Sequence, residues 1–232
     1  MQRYSKVFDK VSREMILLKS LPCLYGKCSF CNYILDNSTD LEEIYSTNND
    51  IISAVTGEFG VLEVINSGSV FEIPKPVLDA IKVKVDEKNI KLLYFEAYYG
   101  YRKRLDEMRK FFSKQEIRYR IGIETFDDKF RSDVLNKPFP TDDLADLASK
   151  FYCCCLLICV KGQTKEQIVN DIILARTHFN EVRINVFIDN DTKVTRDEEL
   201  VKWFVKEVYP SIKDEPNVET LIDNKDLGVY VQ

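Results

Sequence analysis

Three cysteines, Cys23, Cys28 and Cys31, fall within the segment PCLYGKCSFCNY, among polar and glycine residues and just after the apolar run Met15 to Leu18. Thiolates this close in sequence can hold a metal, and three chemistries compete. A structural zinc needs four closed ligands, and the single histidine, His178, sits on a helical stretch far along the chain. A redox dithiol needs only a pair. An iron–sulfur cubane accepts three thiolates and leaves one iron open to an outside ligand. The amino terminus MQRYSKVFDK lacks a signal-peptide pattern, so a reducing cytosol is expected and disulfides are not. The other four cysteines, Cys153, Cys154, Cys155 and Cys159, lie in FYCCCLLICV, which has the pattern of a buried strand; they are expected to fill the core.

A loop can present three thiols to one centre only if rigid elements flank it. Apolar runs of strand length occur at Met15 to Leu18, Val61 to Ile65, Lys91 to Phe95, Ile117 to Ile123, Cys154 to Val160 and Val182 to Ile188. Helical spacing lies between and after them: Leu105, Met108 and Phe112; Ile168, Ile172, Ala175 and Phe179; Val201, Phe204 and Val208. Thr164 with Gln167 and Thr195 with Glu198 have capping-box spacing, and Pro76 suits a first helical turn. Alternating strands and helices predict a parallel sheet with helices outside, as an open doubly wound sheet or a partial barrel.

No linker-like composition break divides the 232 residues. One domain over 1–232 is therefore expected, with a core over about 15–190. The last helix and a carboxy-terminal extension occupy 191–232, the extension from about Pro216 capping an open edge or the mouth. The chain carries 33 Lys and Arg against 38 Asp and Glu, a net charge of −5. Such a balance argues against direct nucleic-acid binding, which draws on a Lys/Arg surplus. No run approaches the roughly 18 apolar residues of a membrane span.

In either architecture ligands bind at the carboxyl ends of the strands. That rule selects the Cys loop after the first run; Asn66, Ser67, Gly68 and Ser69 after the second; Glu96, Tyr98, Tyr99, Tyr101 and Arg102 after the third; and Glu124 after the fourth. It also selects Lys161, Gly162 and Gln163 after the fifth, and Asn185, Phe187, Asp189 and Asn190 around the sixth. Tyrosines, carboxylates and amides around three thiols suit a polar, planar small molecule near a metal centre.

With these residues in view, the chain resembles the radical S-adenosylmethionine (SAM) enzymes over about Met15 to Asn190. Cys23, Cys28 and Cys31, with Phe30 before the third, resemble the signature loop, although four residues separate the first two cysteines where the usual number is three. INSGSVFEIP resembles the second-strand motif of the branch containing the Elongator catalytic subunit and the coproporphyrinogen dehydrogenase. GIETFDDKFRSDVLNK resembles that branch's fourth-strand motif.

The resemblance implies a partial (β/α)6 TIM-like barrel, a [4Fe-4S] cluster on the three cysteines, and SAM as cofactor. It implies SAM contacts from Phe30, from Ser67, Gly68 and Ser69 to the methionine amine, from Glu96 to the methionine moiety, from Glu124 to the ribose and from Lys137 to the carboxylate. An acid that some relatives keep on the fifth strand is replaced here by apolar residues.

It further implies a low-potential electron donor such as flavodoxin or ferredoxin. Lacking an RNA-binding domain and further Cys clusters, the chain is expected to act on a small molecule. Among compact members it is most similar to a lyase of queuosine salvage, converting queuine to 7-aminomethyl-7-deazaguanine. Candidate substrate contacts are Glu72 or Asp189 for the amide and amine edge of the base, Asn185 or Asn190 for its hydroxyls and carbonyl, and Tyr98, Tyr99, Arg102 and Phe187 around it. A radical enzyme acting on transfer RNA, or a zinc or iron–sulfur sensor, are the alternative readings.

Overall fold

The computed structural model describes residues 2–223, 226, 228 and 229. The last residues of the expected carboxy-terminal extension lie outside these. Two compact units divide the chain: one of residues 1–26, 33–120 and 225–232, the other of residues 27–32 and 121–224.

In the first unit β1 (Tyr4–Val7) runs antiparallel to β2 (Arg13–Leu18), and β3 (Val61–Asn66), β4 (Leu92–Glu96) and β5 (Glu116–Glu124) follow in parallel. Register aligns Ile16, Val64, Phe95 and Tyr119 in one row, all buried. Burying each such side chain contributes about 1.5–3 kcal/mol, so the row is a main source of the sheet's stability. One step along, Glu63 accepts from Arg13 Nε at 2.5 Å and pairs with Arg120 at 2.8 Å, all three buried. Removing Glu63 alone would take the carboxylate partner from two buried guanidiniums.

Helices α1 (Leu41–Ser53), α2 (Lys75–Glu87) and α3 (Leu105–Phe111) supply the crossovers. Asp40 caps α1 by accepting from Glu42 and Glu43 N–H, and Pro76 occupies the first turn of α2 as expected. The buried Asn48 of α1 takes the Lys19 N–H at 2.9 Å and gives an N–H to Lys19 O at 2.7 Å, fixing the chain where it leaves β2.

The second unit contains the end of β5, α4 (Asp128–Asp133), α5 (Leu144–Lys150), β6 (Cys153–Ile158), α6 (Lys165–His178), β7 (Glu181–Val186), α7 (Glu198–Trp203), a π-helical turn (Phe204–Val208), α8 (Tyr209–Ile212) and β8 (Val218–Leu221). Strands β6, β7 and β8 are parallel. All six residues of β6 are buried, including Cys153, Cys154 and Cys155, and Cys159 beyond it is buried too. The four are core residues, as their apolar setting predicts.

The strands are ordered β1 to β8 in sequence. That order is the one of a partial (β/α) barrel and excludes the doubly wound sheet, in which strand order reverses. Two strands join the six expected from apolar runs. Strand β1 precedes the first apolar run, and β8 turns the carboxy-terminal extension into an edge strand on β7. The Thr164–Gln167 capping box opens α6 as expected. Thr195 with Glu198 does not open a helix. Thr195 O accepts from Lys161 N–H at 2.8 Å and Arg196 forms a bridge with Val160, which keeps this segment extended; α7 is capped instead by Asp197.

Candidate active site

In the first unit the chain leaves β2 into the thiol loop under the control of Glu72. The Glu72 carbonyl accepts from Leu21 N–H at 3.1 Å, and its carboxylate accepts from Leu24 N–H at 3.0 Å and from Ser69 N–H. The Tyr101 hydroxyl bonds to the same carboxylate. Burial raises the Glu72 carboxyl above its usual value, while these bonds from Leu24, Tyr101 and Ser69 pull it down. Gly68 lies where a Cβ would come within 2.9 Å of Glu72 Oε2 and 3.3 Å of Cys23 Cβ. A side chain here would displace the Glu72 carboxylate and crowd Cys23 by a few tenths of an ångström, so the close approach favours glycine.

The segment after β3 is a polar lip. Ser67 donates its hydroxyl to Asn37 Oδ1, and Ser69 Oγ bridges Glu96 O and Tyr98 N–H, each at 3.4 Å. Asn66 donates to Ser20 Oγ at 3.1 Å and to Ser69 O at 3.0 Å, whereas its buried Oδ1 has no hydrogen-bond partner among the described residues. Glu96 is half-buried at the end of β4. Tyr98 stacks on Tyr25 with ring centroids 5.6 Å apart, and the Arg102 guanidinium lies 4.0 Å over the Tyr99 ring.

In the second unit Cys28 and Cys31 belong to a tight turn, with Cys31 N–H donating to Cys28 O at 3.3 Å. The segment after α4 holds that turn: Ser29 N–H reaches Leu135 O at 3.0 Å, and the Asn136 amide reaches Lys27 O at 2.7 Å. Lys137 is consequently next to the thiols, with its Nζ 5.8 Å from the Phe30 ring centre. It pairs with Glu124 Oε1 at 2.6 Å. Burial works to lower the Lys137 pKa, but Glu124, Cys28 and Cys31 outweigh it and raise it, so the ammonium persists in a closed setting. A Cβ on Gly122 would collide with Glu124 Oε1 and come within 2.7 Å of Lys137 Nζ, so the pair depends on glycine there.

The remaining candidates divide. Asn190 donates to Phe30 O at 2.9 Å and to Asn32 Oδ1 at 3.3 Å, tying the end of the β7 segment to the thiol turn. Asn185 is half-buried within β7. Phe187 packs into the core with Phe130, Leu157 and Val160, and Phe30 packs against the same cluster. Asp189 is exposed and accepts from Arg196 N–H at 2.7 Å. Glu72 is braced on the Cys23 loop by the bonds above. Sequence reasoning missed Asn37, Asn48 and Asn136, which hold the loop ends through backbone or hydroxyl partners, and it left Asn66 without a role. Only Asn48 left a signal, as an amide on the apolar face shared by Ile44, Ile51 and Ile52.

Cys23, Cys28 and Cys31 form no disulfide and are half-buried, whereas the other four cysteines are buried. Among the described residues no three His, Cys, Asp or Glu side chains are drawn into a preformed metal cage. The thiols themselves suit a cluster with an open iron: three soft donors close in sequence with no histidine among them, and in the second unit a cation beside Cys28 and Cys31.

A thiol loop after the first parallel strand, followed by polar residues at successive strand ends of a partial barrel, defines the class: a radical SAM enzyme. No family model matches the chain, and no curated protein does. A solved structure does: a queuine lyase from Clostridium spiroforme bound to SAM and queuine, 43% identical, covering 100% of both chains with a TM-score of 0.96. The chain belongs to the queuine lyase family.

Proposed function

We propose that this protein cleaves SAM reductively and uses the resulting radical to convert the free base queuine to 7-aminomethyl-7-deazaguanine. The observation that carries this reading is the 43% identity over the whole of both chains with a lyase whose structure holds SAM and queuine. Cys23, Cys28 and Cys31 would hold a [4Fe-4S] cluster, whose chemistry would be to supply one electron for reductive cleavage of SAM.

The chain's own residues then bind, orient and exclude. Lys137 offsets the methionine carboxylate, and its ion pair with Glu124 Oε1 fixes Glu124 with its other oxygen left to accept from the ribose hydroxyls. Asn66 Oδ1, an acceptor lacking a partner among the described residues, fits the methionine amine. In the first unit the polar lip at Ser67 to Ser69 follows β3 and the acid Glu96 ends β4. Tyr98, Tyr99 and Arg102 offer flat faces for a deazapurine, and Asn185, Asp189 and Asn190 its polar partners. Phe30 shields Lys137 from water.

A low-potential flavodoxin- or ferredoxin-type donor and a cytoplasmic location complete the reading. Among the described residues no helix is long and apolar enough to cross a membrane. The test is to incubate anaerobically reconstituted protein with SAM, dithionite and queuine. Deoxyadenosine and 7-aminomethyl-7-deazaguanine should form together; deoxyadenosine forming no faster with queuine than without it would overturn the substrate.

A further inference from the structure

Among the described residues, Arg131 and Asp171, 0% and 1% exposed, are the charged side chains of the second unit most completely removed from water. Both converge on the turn that ends β5. Asp171, on α6, accepts the Phe126 N–H through Oδ1 at 2.8 Å and a hydrogen bond from the Thr125 side chain. Arg131, on α4, donates through Nη1 to Thr125 O at 2.5 Å and through Nη2 to Phe139 O at 2.7 Å. Its own carbonyl accepts from Lys137 N–H at 2.9 Å.

The turn needs holding. Glu124 sits at φ 69°, left-handed backbone that a non-glycine side chain adopts at a cost of about 1–3 kcal/mol. Released, the turn would relax toward ordinary backbone and carry the Glu124 carboxylate away from Lys137. A carboxylate and a guanidinium buried without water are themselves expensive, so their placement on one three-residue turn points to a requirement at that turn. The other titratable or charged groups near Asp171 are Asp127, Arg131 and the Cys154 thiol.

We propose that Asp171 and Arg131 clamp the Glu124–Phe126 turn from two sides, so that Asp171 is a positioning residue for SAM, acting through the Glu124–Lys137 pair. This rests on the proposed assignment of Glu124 and Lys137 to SAM. Asp171 touches neither cofactor nor substrate in this scheme. Its effect is to hold a strained backbone in the one conformation that pairs the acid with the lysine.

The experiment has two readouts. In protein without SAM, hydrogen exchange at the Phe126 amide reports the clamp itself. D171A should speed that exchange at least tenfold and D171N, which retains an acceptor, less than threefold, leaving the Phe130 amide held by Asp127 unchanged. In reconstituted protein, equilibrium binding should show the SAM Kd rising about tenfold in D171A and less than threefold in D171N. Because Asp171 acts through Glu124, D171A should add less than twofold when E124Q is already present. If D171A does not fold, D171S, whose hydroxyl is too short to reach Phe126 N–H, takes its place.

Unchanged Phe126 exchange in D171A overturns the clamp. Fast Phe126 exchange with unchanged SAM binding in D171A, while E124Q weakens binding, overturns the positioning role. Multiplicative losses in the double variant overturn action through Glu124. Unchanged binding in E124Q instead overturns the assignment of Glu124 to SAM, and the exchange at Phe126 then still decides the clamp.

Discussion

The two groups of cysteines share a chain and differ in everything that governs thiol chemistry. Cys28 and Cys31 occupy a half-buried turn held by backbone bonds, with the Lys137 ammonium beside them. Cys153, Cys154, Cys155 and Cys159 lie in and just beyond a strand whose every side chain is buried. Burial pushes Cys159 up to about 12, and it raises Cys154 well above the ordinary thiol value, with Cys153 adding to the effect. A thiolate is both nucleophile and metal ligand, so a dry strand disarms a cysteine that a cation-flanked loop would arm. Sequence neighbourhood, not cysteine count, therefore separates ligand from core.

The widest separation between the groups should appear on substitution. Replacing Cys28 by Ala should abolish cluster assembly, taking iron from about four per chain toward zero, together with SAM cleavage; cleavage surviving in C28A would break the assignment. In cluster-free, reduced protein, alkylation followed by mass spectrometry should modify the half-buried Cys23, Cys28 and Cys31 well before the buried Cys159, since a thiol near 12 is almost wholly protonated at neutral pH. Equal rates would show that burial does not protect β6 and its continuation.

Replacing Lys137 by Met should weaken SAM binding by about 10- to 100-fold, the range of a lost charge-assisted hydrogen bond, measured by equilibrium binding to reconstituted protein. An unchanged Kd would reduce the cation beside the thiol turn to a structural partner of Glu124.

A smaller effect is expected at Asp171, whose charge acts on Cys154. Burial lifts the Asp171 carboxyl to about 6. The folded value is above the unfolded one, so the charged form penalises the folded state above about pH 6, and the penalty is lifted as pH falls toward 4. Wild-type stability relative to D171N should accordingly rise by about 1 kcal/mol between pH 7 and pH 5, read from paired denaturation curves. No relative change would mean that this carboxyl is better solvated than its burial implies. The smallest effect is expected from C153A, which should cost no more than about 1–2 kcal/mol and leave iron content and SAM binding intact.

Much of this was legible from residue order. The six apolar runs became six parallel strands, because a strand buried on both faces must be apolar throughout, and the Thr164 box and Pro76 opened their helices for local reasons. Thr195 misled because its capping pattern is local, whereas a bridge to Val160 and a bond to Lys161 decide its backbone. Strands β1 and β8 are too short and too polar for apolar periodicity to reveal them. Glu124 and Lys137 were both named from motif position, but their pairing depends on Gly122 and on a turn held by residues seven and 47 positions beyond Glu124. Asp171 did leave a trace, as a lone acid beside Ile172 on the helix face that carries Ile168 and Ala175.

By itself the sequence determined the alternation of strand and helix, the division of seven cysteines into a polar loop and an apolar strand, and the strand ends at which chemistry would lie. Those are properties of periodicity and local composition, which short-range physics reads directly. Only the tertiary structure decided that Glu72 braces the Cys23 loop, that Lys137 pairs with Glu124 beside the thiol turn, and that Asp171 and Arg131 hold the strained backbone between them. Each of these is a contact between segments distant along the chain, and such contacts exist only once the sheet has brought the strand ends together.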